Sequence, residues 1–177
     1  MGAEGSTVIC SDINEQSAQA AATRLEDAGG KASVNALDTS DEAAVKEALS
    51  KTVKDFGRLD VLYNNAGVAR QGWGLTNDVN LAGVYYGLMH ACPIMAEQGG
   101  GSIVNTASAA GLVAIYAPGA DFMKNPAVLE GTASYVATKH GVVGLTKQFA
   151  VAFGPANVRV NAVLSLIHIS EPTRRYR

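Results

Sequence analysis

The chain has 177 residues, 47% of them apolar and 17% charged, with a formal net charge of −2. An ordinary apolar fraction with so small a net charge excludes wholesale disorder. No run reaches the roughly 18 apolar residues of a membrane span, and the N-terminal stretch has no secretory pattern. The near-neutral balance leaves no electrostatic footprint for nucleic acid. Two cysteines, Cys10 and Cys92, make no disulfide framework and suit a reducing, cytoplasmic setting. Glycine is the outlier: 19 residues, about 11% against a usual ~7%, placed at joints between elements as expected for many tight turns.

In chain order, Thr7–Ser11 ends in Asp12 and reads as a buried strand. Ala18, Ala21, Ala22 and Leu25 recur at helical spacing until Gly29 and Gly30 stop the helix. Lys31–Leu37 is the next strand, ending in Asp38. Thr39 to Glu42 reads as a capping box ahead of a helix whose stripe is Val45, Ala48, Leu49, Val53 and Phe56. Leu59–Tyr63 is a third strand. A helix is expected over Leu75–Gln98, with a bend at Pro93. Gly99, Gly100 and Gly101 turn into a fourth strand, Ser102–Thr106. A long loop, a helix over Ala133–Phe153 with Val136, His140, Val143 and Phe149 repeating, and a fifth strand, Val158–Val163, complete the pattern. Strands that are apolar runs, alternating with helices, predict an α/β fold: a doubly wound parallel sheet, Rossmann-like, covered on both faces.

Ligands of such sheets sit at the carboxyl ends of the strands, where this chain places Asp12, Asp38, Asn64, Asn65 and Ser108. Asp12 reads equally as a helix cap or as a carboxylate for the adenosine ribose hydroxyls. No Arg or Lys follows at positions 13 or 14 to neutralise a 2′-phosphate, so NAD is favoured over NADP. Tyr135 and Lys139, four residues apart, share one helix face. An ammonium near a phenol favours the phenolate, which makes a general acid/base for a hydroxyl proton. His90 and His140 read as ordinary helix residues, because no cluster with metal spacing surrounds them. Cys10 reads as a buried strand residue and Cys92 as a packed helix residue.

Four motifs stand in order on these elements: Asn64-Asn65-Ala66-Gly67 after a strand, Asp78-Val79-Asn80-Leu81-Ala82-Gly83 in a helix, Ile103-Val104-Asn105-Thr106-Ala107-Ser108 ending a strand, and Tyr135-x-x-x-Lys139. Together they resemble the short-chain dehydrogenase/reductase family, in its shorter soluble form. The resemblance implies Tyr135 as catalytic acid/base, with Lys139 tuning it and binding the nicotinamide ribose. Ser108 is implied on the substrate oxygen, and Asn80 as holder of a water in a proton relay through Lys139. Asn64, Ala66 and Gly67 are implied to line the adenosine side of the cleft, with Asp38 meeting the adenine. It also implies a small-molecule alcohol or ketone substrate and a homo-oligomer, a tetramer built through helical faces.

The chain departs from that pattern at both ends. No G-x-G-x-x-G or G-x-x-x-G-x-G spacing occurs, so the first βα unit with its pyrophosphate turn is expected to be missing. That strand lies centrally in the 3-2-1-4-5-6 order. Its absence predicts either an open slot or the strand of residues 7–11 lying beside that of 59–63. Residues 1–163 thus read as an incomplete NAD(P)-binding domain. Residues 164–177 read as a non-native tail, translated from a sequencing adaptor. Gly67 to Asn80 spans 13 positions, shorter than usual, and Ser108 to Tyr135 spans 27, about twice the usual gap. The extra segment, Ile115 to Gly131, reads equally as a surface excursion or as a substrate wall carrying Tyr116, Phe122 and Met123. The functional expectation is NAD(H)-dependent interconversion of a secondary alcohol and a ketone. The alternative is a catalytically silent fragment, or a partial nucleotide-binding module. An epimerase or dehydratase is disfavoured, since nothing suggests a sugar-nucleotide site.

Overall fold

A short turn through Gly5 leads into β1 (Thr7–Asp12), which is followed by α1 (Glu15–Asp27) and β2 (Lys31–Ala36). This computed structural model describes residues 2, 5–69, 71–115, 119 and 121–164. The expected tail from residue 165 onward, and Tyr116, lie outside the described residues. The turn into α1 is built from side chains: Asp12 accepts from the Asn14 N–H at 2.8 Å, and Asn14 in turn caps the helix through Gln16 N–H and Ser17 N–H. These bonds satisfy donors that the first helical turn leaves orphaned.

α2 (Glu42–Phe56) starts two residues later than the Thr39–Glu42 box predicts. Its cap is Asp41, which accepts from Ala43 and Ala44 N–H. Thr39 instead packs against Gly83, where an added Cβ would lie 2.9 Å from the Thr39 carbonyl oxygen. Val45 and Leu49 are buried as expected, but Phe56, on the last turn, is exposed. Gly57 closes the helix at φ 83°, a left-handed conformation with little steric cost only for glycine.

β3 (Val61–Asn64) is followed by one helical run in three parts. These are α3 (Trp73–Asn77), a π-turn (Asp78–Ala82) and α4 (Gly83–Glu97). In the π-turn the Gly83 N–H reaches back five residues to the Asp78 carbonyl. Pro93 sits inside α4, and the irregularity lies at the π-turn, a feature common near functional sites. β4 (Gly101–Thr106), a 3-10 turn (Ala109–Gly111), α5 (Pro126–Phe153), a second 3-10 turn (Gly154–Ala156) and β5 (Val158–Val163) complete the chain. α5 begins seven residues before the expected Ala133, with Asn125 as its cap and Pro126 at its first position. Part of the expected long loop is therefore helix. Its buried stripe is Ser134, Thr138, Lys139, Val142, Thr146 and Phe149, whereas His140 faces outward.

All strand pairs are parallel. β1 pairs with β2, and β4 lies between β3 and β5. No ladder joins β1 to β3, so the slot rather than the side-by-side pairing is the outcome, and each strand keeps one unpaired edge among the described residues. The expectation of a sheet covered on both faces fails at β3: Val61 and Tyr63 remain 41% and 51% exposed. Cys10 is correspondingly only half-buried, while Cys92 is fully buried, its thiol pushed up to about 11 by burial. α2 packs on α4 and adds Val45 and Leu49 to the core around Leu88, Met95, Ile103, Val142 and Val158, against which Leu37, just past β2, also packs. Each large aliphatic side chain buried there contributes about 1.5–3 kcal/mol.

Candidate active site

Four of the predicted site residues lie at or just past the carboxyl ends of parallel strands, in two separate sheets. Asp12 closes β1, Asp38 follows β2, Asn64 closes β3, and Ser108 lies two residues past β4. The slot between β1 and β3 separates the first two from the rest.

Lys139 is buried at 4% exposure. Its ammonium donates to the Thr106 carbonyl at 2.7 Å and stands 5.7 Å from the centre of the Tyr135 ring. Burial holds the Lys139 pKa below its ordinary value of 10.5. An ammonium has three donors, and among the described residues Thr106 is the acceptor for one. The Ser108 hydroxyl accepts from the Ala110 N–H at 3.2 Å, which leaves its own proton to donate outward. The turn carrying Ser108 is pressed against α5 at Gly111. A Cβ there would lie 2.6 Å from the Lys139 carbonyl oxygen, so only glycine lets Ser108 approach the helix of Tyr135 and Lys139 this closely.

The depressed Lys139 pKa has a consequence for stability. The unfolded chain binds this proton more tightly, so stability rises as pH climbs from the lowered folded value toward 10.5. Below that window the penalty of burying the charge is fully present. Lys139→Met removes it. The difference in urea midpoint between wild type and Lys139→Met should therefore move in the wild type's favour between pH 7 and pH 10; a gap that does not change with pH contradicts this.

Two predicted residues are engaged differently from expectation. Asn80 is fully buried, and its carboxamide is committed to Val68: it accepts from the Val68 N–H at 2.7 Å and donates to the Val68 carbonyl at 2.8 Å. It pins the loop after β3, with one amide N–H and one oxygen lone pair left over. Asn64 turns inward, donating to the Asn105 side chain at 2.9 Å and touching α4 at Gly87, where a Cβ would collide with its Oδ1. Asn65, Ala66 and Gly67 remain exposed on the cleft side of the same loop. Asp38 accepts from both the hydroxyl and the N–H of Ser40, and these bonds, the hydroxyl first, hold its carboxyl below the usual range. Asp12 is exposed, with one oxygen on the Asn14 N–H.

Sequence reasoning missed a buried polar chain beneath the site. Asn64 donates to Asn105, Asn105 to the Thr146 hydroxyl at 2.9 Å, and Thr146 to the Val142 carbonyl at 2.7 Å. Thr106 donates to the Asn65 side chain at 2.9 Å. The available signal was an asparagine directly after the apolar pair Ile103-Val104 of a central strand, since buried polar groups are kept only when paired. His90 pairs with Glu42 at 3.1 Å and His140 bonds the Val136 carbonyl; among the described residues no three metal-ligating side chains cluster. No helix among the described residues is long and apolar enough to cross a membrane.

Known proteins resemble this chain in sequence and fold. A family model described as enoyl-(acyl carrier protein) reductase matches residues 1–168. Cyclohexanol dehydrogenase of Acinetobacter sp. strain SE19 is 36% identical over 170 residues, 90% of this chain and 62% of that protein. Carveol dehydrogenase from Mycobacterium avium, solved with NAD, superposes with a TM-score of 0.78 at 32% identity, over 92% of this chain and 62% of that one. A gluconate 5-dehydrogenase from Burkholderia cenocepacia J2315, solved with NADP and tartrate, gives 0.76 at 26% identity, over 91% and 61%. The chain thus spans about three-fifths of the length of these relatives. With the four motifs on the expected elements and a family match over nearly its whole length, the chain belongs to the short-chain dehydrogenase/reductase family, on a Rossmann-type α/β fold.

Proposed function

We propose that the full-length protein carrying this chain interconverts a secondary alcohol and a ketone with NAD(H). The observation that carries the reading is the buried Lys139 ammonium beside the Tyr135 ring, with the Ser108 hydroxyl on a turn pressed against the same helix. The residues fit a nicotinamide dinucleotide at its two ends. Lys139 has donors to spare for ribose hydroxyls, and Asp12 is an exposed carboxylate at the end of β1. Asn65, Ala66 and Gly67 offer an open loop between them.

When bound, the cofactor supplies the hydride acceptor or donor. The rest is work for this chain. Ser108 donates to the substrate oxygen and orients it. Tyr135 takes the hydroxyl proton during oxidation and returns it during reduction. The Lys139 ammonium stabilises the charge that develops on the phenol oxygen, at a site where burial strengthens the interaction. Asn80, at the π-turn with its side chain also on Val68, holds a water for the relay through Lys139. Asn64 contributes main chain alone. NAD rather than NADP is favoured by Asp12, whose charge repels a 2′-phosphate, with Ile13 and Asn14 offering no cation.

A second reading is favoured by one observation. Among the described residues no glycine-rich strand-to-helix turn cradles a pyrophosphate, and the slot is open. On that reading the chain as it stands is silent. Titration with NADH and NADPH, followed by cofactor fluorescence, separates the two. Saturable binding that prefers NADH supports the first reading, absence of binding supports the second, and a preference for NADPH removes the Asp12 argument.

A further inference from the structure

The two unusual spacings meet in space. The short segment after Gly67 forms α3, and the long segment before Tyr135 supplies the leading turns of α5. These pack on each other. The Glu130 carboxylate accepts from the Trp73 N–H at 3.0 Å, at the start of α3. Ser134, one residue before Tyr135, is fully buried with its hydroxyl toward the Gln71 carbonyl at 3.5 Å.

Helical geometry then sets what stands over the reactive groups. Val128 lies seven residues before Tyr135 and so on nearly the same face, two turns or about 10 Å further out. The face that carries Lys139 and Tyr135 therefore continues outward as Val128, flanked by Leu129 and by the docked Trp73. All three are between 37% and 55% exposed. Neither residues 71–77 nor residues 108–115 include a charged side chain, and Glu130, the one charge in residues 126–138, is engaged by Trp73.

We infer that the leading turns of α5, latched to α3 by Glu130, form an apolar wall of the substrate cleft. This wall selects uncharged, apolar ketones and alcohols over polyhydroxylated or ionised ones, with Val128 as a specificity-determining residue. The inference rests on the alcohol–ketone reading of the site. A wall of this kind offers no partner to a buried hydroxyl or charge, and an unpaired polar group is heavily penalised there.

Trp73 is the single tryptophan of the chain, so its emission reports on this wall directly. The full chain is titrated with cyclohexanone and with erythrulose, a polyhydroxylated ketone, and Trp73 emission is followed. Affinity for NADH is measured separately. Cyclohexanone is expected to give a saturable blue shift with a midpoint at least about 10-fold below that of erythrulose. Val128→Asp is expected to weaken cyclohexanone binding by about 10-fold while leaving NADH affinity unchanged. An acidic residue in the first turn of a helix is favoured by the helix dipole, so this variant keeps its fold. Leu129→Ser, at an exposed position, is expected to show a smaller loss in the same direction. Equal or tighter erythrulose binding, a Trp73 signal that neither ketone moves, or wild-type cyclohexanone affinity in Val128→Asp overturns the inference. Loss of NADH binding alone counts against the functional reading and leaves the wall intact.

Discussion

Tyr135→Phe is expected to lower kcat of the full-length protein by about 10²–10⁴-fold, the range for a positioned general acid/base. NADH affinity should stay unchanged. The substitution removes one oxygen from a ring that stands over Lys139 and leaves the Lys139 bond to the Thr106 carbonyl in place. The cofactor-facing donors of Lys139 are therefore preserved, and the loss falls on proton transfer. Stopped-flow hydride transfer and cofactor fluorescence on the same variant check both halves. Retained turnover refutes the role of Tyr135. A parallel loss of NADH binding assigns it to the cofactor instead.

Asn105→Leu is expected to cost about 2–4 kcal/mol of stability, because it breaks a buried hydrogen-bonded chain rather than a single contact. Asn105 is fully buried, accepts from Asn64 and donates to Thr146. Leucine matches its size but leaves the Asn64 amide facing apolar atoms. Thr146 loses less, since its hydroxyl still donates to the Val142 carbonyl. In a protein of this length the loss corresponds to a fall in Tm of roughly 5–15 °C, and urea denaturation measures it directly. Asn64→Leu combined with Asn105→Leu should recover part of the loss, because removing both partners leaves no orphan. An unchanged urea midpoint in Asn105→Leu shows that the chain of bonds contributes nothing. Because Asn64 and Asn105 tie β3 to β4 just beneath Thr106, the same variant should also disturb the Lys139 anchor and lower activity.

Much of the molecule was legible in the sequence. Local signals are physical rules that act over a few residues: an apolar run bounded by glycine, a side-chain oxygen ahead of a helix, a tyrosine and a lysine one turn apart. They placed all five strands to within about two residues, the α5 face with Tyr135 and Lys139, and the Ser108 position after β4. The absent glycine-rich turn left two outcomes, a slot or β1 beside β3, and the tertiary structure decided for the slot, since no ladder joins the two strands.

Where reading failed, a longer-range contact had decided the outcome. The cap of α2 passed from Thr39 to Asp41 because Thr39 is held against Gly83 of α4. The carboxamides of Asn80 and Asn64 are turned onto Val68 and Asn105 by tertiary contacts that motif position does not encode. The leading turns of α5 looked like loop because their stabilising partner, α3, lies more than fifty residues earlier. Phe56 and Tyr63 looked like core, and are exposed because helix ends and an uncovered sheet face offer nothing to pack against.

The sequence by itself therefore determined the order of strands and helices and, through four motifs, the family, since these follow from local chemistry within short stretches. Only the tertiary structure decided how deeply Lys139 is buried, which asparagines face inward, and that two oddly spaced segments pack on each other. Burial and pairing depend on atoms brought together from distant parts of the chain, and no local pattern encodes that meeting.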